Sequence, residues 1–244
     1  LAPFRDAFVR VRDLIVMLRA DGHAIDRLDL GGGLGIPYDG AATPAPTPAD
    51  YGRLVKEIFG DLGCRLVFEP GRLLVGNAGV LVSRVLYVKE GATRTFVVVD
   101  AGMNDLIRPS LYDAYHAIWP VREPRADAPL REVDVVGPIC ETGDTFARGR
   151  ALPPLREGDL VAFRTAGAYG AVMASAYNMR PPAAEVLVRG RAFAVVKPRK
   201  TAAQLFADEK LPKWLAAPSA AKPRARRIKA GKAGTKKSRQ KRAR

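Results

Sequence analysis

Cysteine and histidine are scarce in this sequence. Its 244 residues include only two histidines and two cysteines, Cys64 and Cys140. None of them falls in the paired spacing that zinc sites use, so we predict no metal site. The cysteine count alone leaves one disulfide open, but we favour a reduced protein in the cytoplasm, where disulfides are rare.

Long apolar runs are also missing. Apolar residues make up 48% of the chain, which is enough for a hydrophobic core. No run approaches the roughly 18 consecutive apolar residues of a membrane-spanning helix, so we predict no membrane segment. The opening letters LAPFRDAFVR have neither an initiator Met nor the basic-then-apolar order of a signal peptide. A start within a helical pattern indicates a fragment of a longer protein.

Acidic residues are absent from the C-terminal end. Residues 222–244 contain twelve Lys and Arg, and removing their charge from the formal net charge of +15 leaves only +3 on residues 1–221. A charged segment without apolar periodicity does not fold alone, so we predict a disordered basic tail at 216–244. Such a tail either contacts nucleic-acid phosphates weakly or acts as a solubilising extension.

The apolar patterns that are present divide the remaining chain into two parts. Residues 1–77 alternate helical and strand patterns, which predicts an α/β unit with a parallel sheet. Residues 78–215 contain short β-rich runs between turn residues, which predicts a mainly antiparallel, Greek-key-like β domain with a closing helix. The predicted helices are 3–20, 47–62 with Thr47 as N-cap, and 201–215, and the predicted strands of the first unit are 24–30 and 64–72.

Glycine-rich turns follow both strands of the first unit. The letters LDLGGGLGIPY at 28–38 and VFEPGR at 67–72 each place glycine where a strand ends. Glycine lets the backbone turn sharply and bring its N–H groups close to an anion. These turns predict a phosphate cradle in which Arg72 can clamp a carboxylate. Ordinary tight turns and a surface arginine explain the same letters.

Two later motifs contain polar side chains that could contact a ligand. In MNDLIRPSLYDAYHAI, at 103–118, Arg108 and Tyr112 lie one helical turn apart and either bind a carboxylate or cap a loop. In RTAGAYGAVMASAYNMRPP, at 164–182, small residues surround Tyr169. Such small residues indicate close approach by a ligand or by a second chain.

The remaining motif, VVGPICETGDTF at 135–146, places Cys140 at the end of a β-rich run. Glu141 follows the thiol directly, and Gly143 marks a turn just beyond it. This position predicts a thiol at a sheet edge or in a cleft, where it can act as a reagent. A cysteine beside β-branched residues is also explained as an ordinary packing residue.

Taken together, five motifs in this order resemble the diaminopimelate decarboxylase family: GGGLGIPY, FEPGR, RPSLYDAYH, GPICETGD and GAYGAVMASAYN. The resemblance extends from residue 1 to about residue 215. It implies pyridoxal phosphate as cofactor and the C-terminal part of a (β/α)8 barrel followed by a β domain. It also implies a homodimer in which the cysteine segment of one subunit completes the active site of the other.

The resemblance implies a role for each matching residue. Cys140 would return a proton to the carbon that loses CO2, and Glu141 would bind the distal ammonium of meso-diaminopimelate, for which a carboxylate is the natural partner. The implied reaction yields L-lysine and CO2, and ornithine and arginine decarboxylases of the same fold are the alternatives. The implied cofactor-binding residues are Gly32, Gly33, Glu69, Gly71, Arg72 and Tyr169, and the implied substrate-binding residues are Arg72, Arg108, Tyr112, Glu141 and Tyr169.

The family's cofactor-linking lysine has no match in this sequence. Pyridoxal phosphate forms a Schiff base with a lysine, which in this family lies upstream of all the motifs quoted above. Outside the tail the chain offers six lysines, and none has the context of a barrel strand. We therefore expect the 244-residue chain to be inactive and poorly soluble by itself. The alternative is a non-catalytic remnant that binds nucleic acid through its tail.

Overall fold

The structure, a computed structural model, describes residues 1–39 and 44–215 of the chain. Residues Leu1–Leu205 form one compact unit, and the described residues 206–215 belong to another. The predicted disordered tail at 216–244 lies outside the described residues. Among the residues that are described, no helix combines the length and the apolarity that crossing a membrane requires.

Two helices enclose the first part of the chain. Helix α1 (Ala2–Ala20) buries Phe8 and Ile15, seven residues apart on one face. Helix α2 (Pro48–Phe59) starts at the predicted N-cap, because the Thr47 hydroxyl accepts the Asp50 N–H at 3.1 Å and the Asp50 carboxylate accepts the Thr47 N–H at 3.0 Å. This reciprocal pair satisfies two of the backbone donors that a helix start leaves free.

Strands β1 (Arg27–Asp29) and β2 (Arg65–Val67) are parallel neighbours, with Leu28 opposite Leu66. The prediction of alternating helices and strands with a parallel pair is confirmed. The strand predicted for 64–72 ends earlier, at Val67, and helix α3 (Gly71–Val75) begins shortly after it. Pro70 explains this end, because proline has no N–H for a strand ladder and its fixed φ suits a helix start. The core beneath these elements contains Phe8, Leu34, Tyr51, Leu54, Val55, Ile58 and Phe59.

The later part of the chain is built on a six-stranded sheet that consists of β3 (Leu81–Glu90), β4 (Thr95–Val99), β5 (Ile118–Pro120), β6 (Arg131–Val136), β7 (Thr145–Leu152) and β8 (Leu160–Phe163). The order of the strands across the sheet is β5-β8-β3-β4-β6-β7. Its pairings are antiparallel apart from the parallel pair β4 and β6. Phe163, the last residue of β8, is fully buried, and its ring centroid lies 4.5 Å from that of Phe146.

This sheet has its own hydrophobic core, which includes Val85, Val99, Leu106, Val135, Val161 and Phe163. Burying a side chain of this size contributes about 1.5–3 kcal/mol. The two cores lie on either side of residue 78 in the sequence. The domain boundaries at 77 and 215 and the Greek-key connection stay predictions.

The remaining elements are short. Helix α4 (Arg108–Tyr112) lies between β4 and β5, and an exposed hairpin pairs β9 (Glu185–Arg189) with β10 (Ala192–Lys197). The helix predicted for 201–215 is wrong in length, because α5 spans only Ala202–Leu205. No side chain of α5 is buried, and a helix without a packed face is marginal in water.

Candidate active site

The glycine loop after β1 is held against the end of β2 by its backbone. The Glu69 N–H donates to the Gly31 carbonyl at 2.7 Å. A Cβ at Gly32 would stand 2.1 Å from the Glu69 carbonyl oxygen, so this position has no room for a side chain. Gly33 adopts φ +92°, which L-residues rarely adopt. The loop therefore requires glycine at both positions that the resemblance assigns to the cofactor phosphate.

The backbone donors of this loop differ in their availability. Among the described residues, the N–H groups of Gly32 and Gly33 form no hydrogen bond. The N–H of Gly71 donates to the Glu69 carbonyl at 2.8 Å, so it is already engaged. Glu69 itself is exposed. Of the three glycines that the resemblance assigns to the cofactor, Gly32 and Gly33 are thus the ones whose described N–H groups are free to meet an anion.

Arg72, on α3, presents a guanidinium that lacks a carboxylate. Its Nε is buried without a hydrogen-bond partner, and the side chain forms no ion pair among the described residues. Its Cζ lies 5.4 Å from the ring centroid of Tyr169. Buried polar donors in folded proteins are normally paired. An unpaired donor on a cation indicates a place that an anionic ligand fills.

Arg108, at the start of α4, is a second guanidinium in the same condition. The residue is only 8% exposed, and it too forms no ion pair in the part of the chain that the structure describes. Its Cζ lies 4.6 Å from the ring centroid of Tyr38 and 6.0 Å from that of Tyr169. Contacts of this kind stabilise a cation by about 0.5–2 kcal/mol but leave its charge in place. Arg72 and Arg108 therefore direct two uncompensated charges to the ring of Tyr169.

The backbone places Tyr169 at this position. Tyr169 has φ +59°, a left-handed conformation that is unusual for a bulky residue. Gly167 packs so closely that a Cβ there would stand 1.9 Å from the Val75 carbonyl oxygen and 2.8 Å from the Gly79 nitrogen. The small residues around Tyr169 thus permit close packing within this chain. Any ligand or second chain at this segment stays a prediction.

His116 completes the surroundings of Arg108. The imidazole is 1% exposed, with Nε2 3.1 Å from Arg108 Nη1 and Nδ1 2.9 Å from the Arg164 carbonyl oxygen. The Tyr38 ring contacts it edge-on at 5.3 Å. Burial lowers the pKa of His116 below its usual 6.5; the Arg164 carbonyl opposes this shift, and the charges of Arg108 and Arg150 add to it.

The loop that carries Cys140 is held by Asp144. The Asp144 carboxylate accepts the N–H of Met103 at 2.6 Å and the N–H of Ile139 at 2.7 Å. Burial raises the pKa of Asp144, although both of these hydrogen bonds oppose the shift. The Ser110 hydroxyl donates to the Gly143 carbonyl at 2.6 Å. These contacts place the loop beside α4, the helix that begins with Arg108.

Cys140 and Glu141 are exposed on this loop. Cys140 is free and belongs to neither core, so the packing interpretation of this cysteine is wrong. Cys64 is also free, so the chain has no disulfide between its two cysteines. Glu141 accepts the Gly143 N–H at 3.0 Å. Within the described residues, neither Cys140 nor Glu141 forms a hydrogen bond or an ion pair with the two arginines.

Tyr112 and Arg108 differ in exposure although both belong to α4. Tyr112 is 59% exposed, whereas Arg108 is 8% exposed. The helix ends at Tyr112, and Asp113 directly after it adopts φ +52°. The structure therefore gathers Arg72, Arg108 and Tyr169, and it leaves Tyr112 exposed to solvent.

Sequence reasoning missed Tyr38, His116 and Asp144 as members of this site. All three lie inside motifs that were recognised, at the ends of GGGLGIPY, RPSLYDAYH and GPICETGD. Their position in these motifs was the available signal. Their roles were not assigned because sequence spacing does not reveal that Tyr38 and His116 converge on one arginine.

Comparison with known proteins gives consistent matches. The family model described as pyridoxal-dependent decarboxylase, C-terminal sheet domain, matches residues 11–167. A diaminopimelate decarboxylase of Pseudomonas aeruginosa is 51% identical over 211 residues, covering 86% of this chain and 50% of the relative. One of Zymomonas mobilis is 48% identical over 215 residues, covering 88% of this chain and 50% of the relative.

A solved structure matches over a similar share of the chain. The diaminopimelate decarboxylase of M. jannaschii in complex with L-lysine superimposes with a TM-score of 0.82 at 36% identity. The match covers 88% of this chain and 50% of that structure. The chain thus spans about half the length of the curated relatives it matches.

Proposed function

The chain belongs to the pyridoxal-dependent decarboxylase family, and we propose that it carries the C-terminal portion of a diaminopimelate decarboxylase. On this proposal β1 and β2, with α1 and α2, form the last part of a (β/α)8 barrel. The parallel pairing of the two strands and the glycine turns at their ends support this assignment, because barrel active sites lie at the C-terminal ends of parallel strands.

The observation that carries the proposal is the pair of uncompensated guanidinium groups beside Tyr169. The free N–H groups of Gly32 and Gly33 belong to the loop that follows β1, and such backbone donors bind phosphate well. Two further features fit a phosphate-bearing cofactor. Gly32 has no room for a Cβ, and the buried Arg72 Nε has no hydrogen-bond partner among the described residues. Gly32, Gly33 and Arg72 would hold the phosphate of pyridoxal phosphate, with Tyr169 beside it. When bound, this cofactor supplies an electron sink for decarboxylation.

The substrate would be meso-2,6-diaminopimelate, and the products L-lysine and CO2. Arg108 would bind a substrate carboxylate, since a guanidinium forms two parallel hydrogen bonds to that group. Glu141 would exchange its contact with the Gly143 N–H for the distal ammonium of the substrate, with Tyr112 nearby. Cys140 would return a proton from its Sγ–H to the carbon that loses CO2.

A homodimer accompanies this function. Cys140 and Glu141 are exposed on a loop held by Asp144, which is a suitable place from which to reach the active site of a second subunit. Both cysteines are free, which agrees with a reducing compartment, and we place the protein in the cytoplasm.

None of the lysines that the structure describes has the surroundings that a Schiff-base lysine requires. A lysine that reacts with a carbonyl is normally desolvated or close to another cation. All six described lysines are exposed: Lys56, Lys89, Lys197, Lys200, Lys210 and Lys213. Lys197 also forms an ion pair with Glu185 at 2.8 Å. We propose that this chain binds the cofactor phosphate but does not turn over substrate alone.

Two measurements on the purified 244-residue chain test these proposals. Incubation with meso-diaminopimelate and pyridoxal phosphate should release no L-lysine above a blank, and steady release would contradict the proposed inactivity. Equilibrium titration with pyridoxal phosphate, followed by cofactor absorbance, should show binding that inorganic phosphate competes away and that Arg72→Gln weakens. Binding that is equal in Arg72→Gln and in the exposed control Arg189→Gln would contradict the proposed phosphate site.

A further inference from the structure

The contact between Arg108 and His116 fixes which imidazole nitrogen carries the proton. His116 Nδ1 lies 2.9 Å from the Arg164 carbonyl oxygen, which can only accept, so Nδ1 carries the hydrogen. A neutral imidazole then has a lone pair on Nε2. That lone pair faces Arg108 Nη1 at 3.1 Å, and an arginine N–H can only donate. Both hydrogen bonds are satisfied by this single tautomer.

We propose that His116 is a positioning residue for Arg108, holding the guanidinium through its Nε2 lone pair so that the other N–H groups stay available to a ligand carboxylate. Tyr38 supports the guanidinium from its face, at 4.6 Å from Cζ. Five N–H groups belong to a guanidinium, and one bond to His116 leaves the rest to bind a carboxylate. The identity of that carboxylate rests on the proposed function, whereas the positioning of Arg108 does not.

The charges around His116 require this neutral form. Arg108 lies against Nε2, and Arg150 Nη1 donates to the His116 backbone carbonyl at 2.9 Å. The Arg164 guanidinium lies 3.9 Å over the ring of Trp119, on the residue whose carbonyl binds Nδ1. Asp39 lies near Tyr38 and Arg164, on the lining of a cavity of about 300 Å³ that does not include His116. A protonated imidazole would remove the acceptor for Arg108 and add a like charge beside it.

Two substitutions separate positioning from a purely structural role. In His116→Gln the amide oxygen reaches about as far as Nε2 and can still accept from Arg108. In His116→Asn the shorter amide can still donate to the Arg164 carbonyl but does not reach Arg108. His23→Gln is the matched control, since His23 is the other histidine of the chain and is exposed.

The binding measurement uses L-lysine as the probe, titrated calorimetrically into the 244-residue chain with pyridoxal phosphate present. We expect His116→Gln to bind within about threefold of the wild type and His116→Asn to bind about tenfold or more weakly, as for a lost hydrogen bond to a charged group. Equal weakening in both variants, or stronger binding by Asn than by Gln, would overturn the positioning role.

A second measurement does not depend on any ligand. In the His23→Gln background, ¹⁵N NMR at pH 7 should show a single neutral His116 with hydrogen on Nδ1. The hydrogen bond to residue 116 should slow exchange of the Arg108 side-chain N–H with solvent, so that its signal is visible. This signal should persist in His116→Gln and disappear in His116→Asn. A proton on Nε2, or an Arg108 signal that is unaffected by Asn, would overturn the inference. Failure of L-lysine to bind the wild type, with the expected NMR result, would count against the proposed ligand and leave the positioning of Arg108 supported.

Discussion

Replacing Gly32 with Ala adds one methyl group to the glycine loop after β1. The added Cβ would stand 2.1 Å from the Glu69 carbonyl oxygen, whereas real Cβ atoms essentially never come closer than 3.0 Å to such an atom. About an ångström of movement is therefore needed between the end of β1 and the end of β2. The same carbonyl accepts the Gly71 N–H at 2.8 Å, so moving it also disturbs the start of α3.

The expected cost follows from this geometry. Overpacking of this kind costs about 1–3 kcal/mol. Replacing glycine with alanine also reduces the conformational entropy of the unfolded chain, which stabilises the folded state by about 0.4–1 kcal/mol. We therefore expect Gly32→Ala to lower the free energy of unfolding by about 1.3 kcal/mol, the middle of these ranges, and by no more than about 2.6 kcal/mol. It should also weaken pyridoxal phosphate binding, because the N–H groups of Gly32 and Gly33 turn away from their positions.

Gly35→Ala is the matched control in the same loop. A Cβ at Gly35 meets nothing within 4 Å, and its φ lies outside the left-handed region. We expect Gly35→Ala to change stability by less than about 0.5 kcal/mol. Urea unfolding followed by tryptophan fluorescence measures both variants. Equal stability and equal cofactor binding for the two would refute the argument that Gly32 is required by its contact with Glu69.

Three further predictions concern other parts of the site. Asp144→Asn should lower the free energy of unfolding by about 1–3 kcal/mol, since a buried N–H loses its acceptor, while the surface change Asp127→Asn should leave the thermal unfolding midpoint nearly constant. Because the pKa of His116 is lowered on folding, the unfolded chain takes up a proton on this residue first as the pH falls. The free energy of unfolding should therefore decrease below about pH 6.5, by up to about 1.4 kcal/mol per pH unit. Urea titrations at several pH values should show that this His116 contribution to the slope is absent from His116→Gln. Glu141→Asp should weaken binding of meso-diaminopimelate about tenfold and leave binding of 2-aminopimelate, which lacks the distal ammonium, less affected, and an unchanged preference in calorimetric titrations would contradict the role given to Glu141.

Local signals were sufficient to predict much of the fold. Thr47 and Asp50 form a capping box that the letters TPAD predict, and the helix they start buries one apolar face. The two parallel strands followed from their alternation with helices. The end of β2 at Val67 and the short α5 were not predicted, because one depends on Pro70 and the other on the absence of a packed face.

The candidate site was only partly predictable. The resemblance to the diaminopimelate decarboxylase family, inferred from five motifs, is confirmed by the family match and by relatives 48% and 51% identical. Those motifs located Arg72, Arg108 and Tyr169, which the structure brings together. The contacts of Tyr38 and His116 with Arg108 were not predictable, because they join segments that are far apart in the sequence and depend on tertiary packing.

A crystal structure of the 244-residue chain grown with pyridoxal phosphate would show directly where the cofactor phosphate binds. We expect the cofactor phosphate within hydrogen-bond distance of the Gly32 and Gly33 N–H groups and of Arg72, with the Tyr169 ring beside it. A phosphate bound elsewhere, with Arg72 and the glycine loop unchanged, would contradict this expectation.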